Sequence, residues 1–594
     1  MVSKNETREK NQFEYFFIAL FDGATSKNTS YLKLPNSNCF TYCIKEIMHT
    51  LRNEMEGRVK SDFSFKLIEN FYDLMLDDSV LKKINYLEYS KMILTLKKYA
   101  EGGNSTKLDK YAYFESLVDK FSKQYQKMLL DQILLKWGNK ELNEEEDYYL
   151  IINFINEMLA NGNNYFYLGF VLKQYKEGKF EDFKSFIEYI FYGNKDSYDI
   201  LLPITLLNER EAKLFELKSQ KIEIIDGVNY CKVYDNRICD FFRLIKDNIL
   251  RIESLFNMLR FYTNSEVDFI YKKEILVKSR YFDQTFQIGF NDIIKYVGLT
   301  PYYKNLEETI DTLASLKEKD TAAYHRVLNT ISDAEKDKDI MTASSYVDNW
   351  IALETLVSMS GRKVGFESVQ LFIPIILTAR FILNDATNTL LQAYKNYDGA
   401  PMILERFLYM VSHGKFSLAK IKHPYYRYKL KKLSDKFSDI NLLKKEFDRV
   451  EYLIKIDLIR IYILRNEYVH TSNLQAFNSM QHIKLKHILP ASIDEVFKRL
   501  NMRNEKEGSR YGITFDVFSE FLNRKENRDT AFKVLLEKVR LKNGSIDLST
   551  TLETQSINIE KFIINVLKNN AELFKTYCST DEYEDKLSKD TGNK

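Results

Sequence analysis

The sequence predicts a mainly α-helical protein with a small β-containing segment near its middle, and three observations carry that expectation. Pro and Gly are scarce, seven and twenty in 594 residues, so few positions punctuate the chain. Apolar residues make up 45% and recur at three-and-four spacing over long runs. Alternation by two is confined to the stretches 221–234 and 274–290.

Taken in order, Phe16 to Phe21 is a short apolar run followed by Asp22-Gly23 and reads better as a strand than a helix. Phe40 to Arg58 reads as a helix. Further helices are expected over Phe63–Leu76, Tyr86–Tyr99, Lys107–Trp137, Glu144–Ala160 and Phe183–Phe191, with breaks at Gly102-Gly103 and at Asn161 to Asn164. The character changes near Pro203: Lys221 to Tyr234 alternates around Asp226-Gly227 as a hairpin does. Pro301 and the charge runs Lys317–Asp320 and Asp333–Asp339 close this mixed segment. Helical runs then cover Tyr346–Val357, Val369–Tyr397, Met402–His413, Tyr425–Phe437 and Glu446–His470. Beyond these, Leu474–Leu489 breaks at Pro490 and resumes at Ile493, and Gly512–Phe574 holds further helices. The tail from Ser579 has the composition of a disordered segment. The resulting division is a mostly helical region over 1–195, a mixed α/β segment over 196–330, a helical bundle over 335–505, C-terminal helices over 506–578 and the tail over 579–594.

Composition bounds the function. Net charge is only +3, from 87 basic and 84 acidic residues, so a nucleic-acid contact would have to be local. No Arg occurs between Arg58 and Arg210, which argues against a phosphate-gripping surface there. The 40 Tyr and 41 Phe are scattered through helical runs and are expected in the core. Five sparse Cys suit a reducing cytoplasm, and Cys39 and Cys43 lack a second pair at zinc-ligand spacing. The charged first residues lack a signal region, and the most apolar stretch, Leu371–Ala379, is far short of a membrane span. A cytoplasmic protein is expected. No phosphate-binding loop, HExxH or acidic calcium loop is present, which argues against an ATPase, a zinc protease and an EF-hand protein.

The segment 461–472, IYILRNEYVHTS, places Arg465, Asn466 and His470 at the end of a long apolar helix. Tyr452, Ile456, Ile459 and Ile463 form its buried stripe, and Asn466 and His470 continue it, so an amide and an imidazole are carried into packed surroundings. This Arg-Asn-x3-His pattern resembles the signature of HEPN domains. A second segment, YVDNWIALETLV over 346–357, resembles the first helix of the Apea-like HEPN group, with an aromatic and a Leu-Glu pair before the Arg-Asn helix. A second match to the loose motif, Arg406 to His413, has Phe407 where a polar residue belongs and is treated as accidental. The resemblance covers roughly 335–500.

The resemblance implies a metal-independent and cofactor-free endoribonuclease that makes the RNA 2'-hydroxyl attack the adjacent phosphate. It assigns His470 as general acid or base, Arg465 as phosphate clamp, Asn466 as orienting amide and Glu354 as a carboxylate that could hold Arg465 or fix the tautomer of His470. It also implies a homodimer with a shared cleft, and an abortive-infection or toxin role against host or phage RNA. The resemblance further implies that the N-terminal region senses a phage-derived trigger. Two alternatives remain open, a binding module that holds RNA or a nucleotide without cutting it and a helical interaction scaffold. One geometric demand accompanies the nuclease reading. Five residues apart on a regular helix, Arg465 and His470 point roughly 140° away from each other, so the helix is expected to end or distort near Tyr468, or Arg465 to reach round.

Overall fold

The computed structural model describes residues 11–289 with short breaks, then 343–358, 365–399, 417–438 and 440–507 without 472–478, and isolated positions such as Phe407, Phe518 and Phe521. The expected run Met402–His413 (apart from Phe407), the charge runs before residue 340, nearly all of 506–578 and the tail lie outside the described residues.

The chain is mainly helical. The first helix, α1 (Gln12–Thr25), occupies the run expected to be a strand. Phe13, Phe16, Phe17, Leu20, Phe21 and Ala24 are all buried, and their three-and-four spacing is the helical period that the run Phe16–Phe21 alone conceals. Then follow α2 (Phe40–Met55), α3 (Phe63–Leu76), α4 (Ser79–Ile84), α5 (Tyr86–Ala100), α6 (Lys107–Asn139), α7 (Glu144–Ala160), α8 (Tyr165–Lys176) and α9 (Phe183–Tyr192). Helices α4 and α8 were not anticipated. The 33-residue α6 starts at a capping box in which Thr106 and Asp109 satisfy each other's backbone N–H groups. Helix α2 is capped from another helix: the buried Glu157 carboxylate of α7 accepts from the Thr41 backbone N–H at 2.9 Å.

The middle segment forms a five-stranded antiparallel sheet in the order β2-β3-β1-β4-β5. Its strands are β1 (Tyr198–Ile204), β2 (Lys221–Ile225), β3 (Val228–Asp235), β4 (Glu274–Ser279) and β5 (Gln284–Gly289), with α10 (Phe241–Thr263) between β3 and β4. Asp226 and Gly227 both have positive φ, 48° and 74°, as a two-residue hairpin turn between β2 and β3 requires. Pro203 sits in the central strand because β4 pairs only with Tyr198–Leu201, so no ladder bond is asked of it on that side. The sheet packs on α8 to α10 through aromatic contacts such as Phe170 on Phe286 and Tyr198 on Phe241.

The C-terminal bundle comprises α11 (Ala343–Ser358), α12 (Phe366–Lys395), α13 (Pro424–Ser438), α14 (Ile440–Thr471) and α15 (Ser479–Glu507). The expected break at Pro490 does not occur, and α15 runs through it as α12 runs through Pro374. Packing on both sides of Pro490, through Ile488, Leu489 and Ala491, holds the helix together despite the lost backbone bond. Helix α12 is longer than its apolar stretch suggested. By length and composition it could cross a membrane, but 56% of its most apolar window is buried inside the protein.

One apolar core runs through all of these parts, from Phe13 to Phe521. The N-terminal helices meet the bundle directly: the Phe63 ring packs on Tyr462, the Tyr31 ring stacks on Phe381 at 4.2 Å, and Arg427 of α13 donates to Glu144 of α7 at 2.9 Å.

Candidate functional site at the end of the long bundle helix

Helix α14 carries the motif. Ile456, Ile459 and Ile463 are buried, as the stripe required, and Tyr346 of α11 donates its hydroxyl to the Ile461 carbonyl at 2.9 Å. Trp350 is fully buried between Phe366 and Tyr462. These contacts fix α11 against the last turns of α14.

Asn466 is 4% exposed, so the amide is indeed carried into packed surroundings. Its Oδ1 accepts from Arg465 Nη1 at 3.0 Å. Arg465 is half-buried, and its Nε is enclosed with no hydrogen-bond partner. Among the described residues Arg465 makes no ion pair, and Glu354, half-buried on α11, makes neither a hydrogen bond nor an ion pair with it. Among the described residues the guanidinium is therefore held by a neutral amide and meets no carboxylate.

The helix neither ends nor distorts near Tyr468; it continues to Thr471. Backbone positions 465 and 470 thus remain roughly 140° apart about the axis. Arg465 bonds the neighbouring Asn466 at 3.0 Å. The backbone of His470 belongs to the last turn, and its side chain lies outside the described residues.

One and a half turns earlier lies a buried cluster of charges. Arg460 Nε is within 3.0 Å of both Glu46 carboxylate oxygens, and its Nη1 is 3.4 Å from Asp457 Oδ1. Lys484 Nζ of α15 lies 2.6 Å from the same Asp457 oxygen, and the Tyr31 hydroxyl donates to Asp457 Oδ2 at 2.6 Å. Two cations face two anions, so the cluster is neutral. Burial raises the pKa of Glu46, and Arg460 opposes that rise. Burial also works against the Arg460 charge, but Glu46 and Asp457 outweigh it and hold the guanidinium protonated. Lys484 is pulled below its ordinary value by burial, with Asp457 pulling the other way.

Next to this cluster opens a cleft lined by Tyr42, Glu46 and His49 of α2, Arg460 and Glu467 of α14, and Gln481 of α15. His49 Nε2 lies 2.9 Å from Glu467 Oε2 and 3.0 Å from Asn53 Nδ2. The cavity in the cleft is about 30 Å3, space for roughly one or two water molecules.

Sequence reasoning missed this cluster and cleft, although part of the signal was present. Asp457, Arg460, Leu464 and Glu467 follow each other at three-and-four spacing in an otherwise apolar helix, and Glu46, His49 and Asn53 do the same on α2. Their meeting across more than 400 positions had no local signal. No family model, curated protein or solved structure matches the chain.

Proposed function

We propose that the chain is an endoribonuclease of the HEPN type, metal-independent as that resemblance implies, and an abortive-infection or toxin effector acting on host or phage RNA. Arg465 grips the scissile phosphate, Asn466 orients it and His470 exchanges a proton, with two copies of the chain contributing to a shared cleft. One observation carries the reading. Among the described residues Arg465 stands beside a neutral amide with no carboxylate on it, whereas Arg460 on the same helix is bonded to Glu46 and Asp457. An arginine kept from acidic partners is suited to an incoming anion, here a phosphate that becomes more negative as the 2'-oxygen attacks. A 2'-hydroxyl requirement would also restrict cutting to RNA.

The test is growth of a bacterial host expressing the wild-type chain or His470→Ala, with and without phage, followed by sequencing of RNA ends. Growth arrest or phage blocking with new ends in the wild type alone supports the reading. Equal behaviour of the two chains under challenge overturns it. A second reading, RNA binding without cleavage, is favoured by the unbroken helix through Thr471, which keeps positions 465 and 470 on different faces. It predicts RNA retention by the wild type with no new ends.

A further inference from the structure

Helix α5 is embedded on one side only. Its buried residues are Tyr89, Met92, Leu96 and Tyr99. The Tyr89 hydroxyl donates to the carbonyls of Met75 and Leu76 at 2.9 and 3.1 Å, which ties the helix to the end of α3. At about 100° per residue these four side chains leave the axis within roughly 80° of one another, so most of the circumference is turned outward.

The outward arc has a composition of its own. Leu87, Lys91, Leu94 and Lys98 fall in one stripe at three-and-four spacing, with Tyr86 and Lys97 on its flank. Leu87 is 71%, Leu94 67% and Tyr86 69% exposed. A single exposed leucine on a folded protein is ordinary, but here two stand in line one heptad apart, each followed by a lysine. The polar residues among them do not interrupt the pattern. The Ser90 hydroxyl donates back to the Tyr86 carbonyl at 2.8 Å and the Thr95 hydroxyl to the Lys91 carbonyl at 2.9 Å. Both hydroxyls are thus satisfied within the helix, and the arc is left to leucine and lysine.

The charge on this ridge is of one sign. Residues 82–98 hold five lysines and a single acid, Glu88. Lys82 and Lys83, in the last turn of α4, are exposed, as are Lys91, Lys97 and Lys98. Lys91 meets Glu88 at 3.2 Å and Lys97 meets Glu101 at 3.8 Å, surface pairs of a kind that constrains a side chain little. Lys82 Nζ lies 5.7 Å from the centre of the Tyr89 ring. Among the described residues Lys83 and Lys98 make no ion pair.

We propose that this ridge docks onto the surface of an anionic lipid bilayer, with the leucines entering between the headgroups and the lysines meeting their phosphates and carboxylates. Shape and residue type choose among anionic partners. The leucines crown a convex helix and do not line a groove, so the ridge offers no cradle for an acidic peptide. Two leucines one heptad apart are too short a seam for a stable pair with a partner helix. RNA would meet the lysines and leave the leucines in water, and with no Arg between Arg58 and Arg210 the ridge has no forked phosphate contacts to give it. A bilayer yields around a ridge, takes up leucine at the headgroup boundary and accepts lysine as a point charge on a flexible stem. The contact is peripheral and asks for no spanning segment. It does not depend on the ribonuclease reading.

The test is flotation of the purified full-length chain with vesicles of phosphatidylcholine alone and of phosphatidylcholine mixed with phosphatidylserine, at low and at raised salt. Expected is binding to the mixed vesicles only, weakened by salt. Leu87→Ser together with Leu94→Ser should lower partitioning onto mixed vesicles by about tenfold or more. Lys83→Gln together with Lys98→Gln should lower it by about 25-fold, roughly fivefold for each charge. All four side chains are exposed, so both double variants should melt with the wild type. No binding of the wild type to mixed vesicles overturns the proposal, as does equal binding to neutral and mixed vesicles. Wild-type partitioning in either double variant overturns it as well. If the lysine pair loses retention of an oligoribonucleotide and keeps its vesicle binding, the ridge belongs to RNA and the proposal falls.

Discussion

Lys484 Nζ lies 2.6 Å from Asp457 Oδ1 with both side chains at 0% exposure. The pair ties α15 to α14 at the point where Arg460 and Tyr31 also meet that carboxylate. Removing one partner strands a buried charge. Lys484→Met should therefore lower stability by about 3–5 kcal/mol, read as a drop in the denaturant midpoint at unchanged slope. Asp457→Asn in the Lys484→Met background should cost less than the sum of the two single changes, because the charges leave together.

Asn466→Asp tests the arginine that a neutral amide holds. It places a carboxylate where the amide oxygen now accepts from Arg465 at 3.0 Å, at nearly the same volume. RNA cleavage should fall by about 100-fold or more, since the guanidinium is neutralised as Arg460 already is. Melting temperature should hold or rise. Full activity in this variant would remove Arg465 as the phosphate clamp.

Arg465→Lys should also fail in cleavage, with its charge retained. A lysine offers a point charge in place of a planar fork and cannot hold both the Asn466 oxygen and a phosphate in fixed geometry. A gel-shift assay should show RNA binding weakened far less than kcat.

Stability should fall on acidification through the His487 window. Burial holds this imidazole down to about 4 from an ordinary value of 6.5. Between these values the unfolded chain binds the proton and the folded chain does not, so stability is complete above about 6.5 and drains as pH falls toward 4. The contribution is roughly 3 kcal/mol. His487→Leu should flatten that part of the stability curve measured by urea denaturation at a series of pH values.

Trp350→Ala should be among the most destabilising single changes. The ring is fully buried between Phe366 and Tyr462, and its loss leaves a cavity worth about 3–5 kcal/mol. Trp350→Phe should cost less, because it also deletes an indole N–H that is buried without a partner.

Much of the helical pattern was legible because it is local. Phe63–Leu76 and Glu144–Ala160 begin and end where periodicity and flanking Asn or charged residues say they should. The turn at Asp226-Gly227 was legible for the same reason, since only a few residues accept two successive left-handed conformations. Helix α1 was misread as a strand because six consecutive apolar residues carry no period of their own, and the helix is revealed only when Phe13 and Ala24 are included. Pro490 was misread because packing against the core outweighs the local penalty. At the site, the burial of Asn466 could be inferred from its stripe. The pairing of Glu467 with His49 could not, because it is made by tertiary packing alone. The neutral state of the Asp457 cluster likewise depends on Glu46 and Lys484, which no spacing in the sequence connects to it.

The four charges of that cluster also constrain how the chain can change over generations. Glu46, Asp457, Arg460 and Lys484 come from three helices spread over most of the sequence, and loss of any one penalises the other three. A lineage can therefore alter the set only through a poorly folding intermediate or by compensating substitutions close together in time. Recombination that exchanges the first hundred residues with those of a diverged relative should fail more often than its sequence identity suggests, and hybrids that carry Glu46 and Asp457 from the same parent should be the ones that survive.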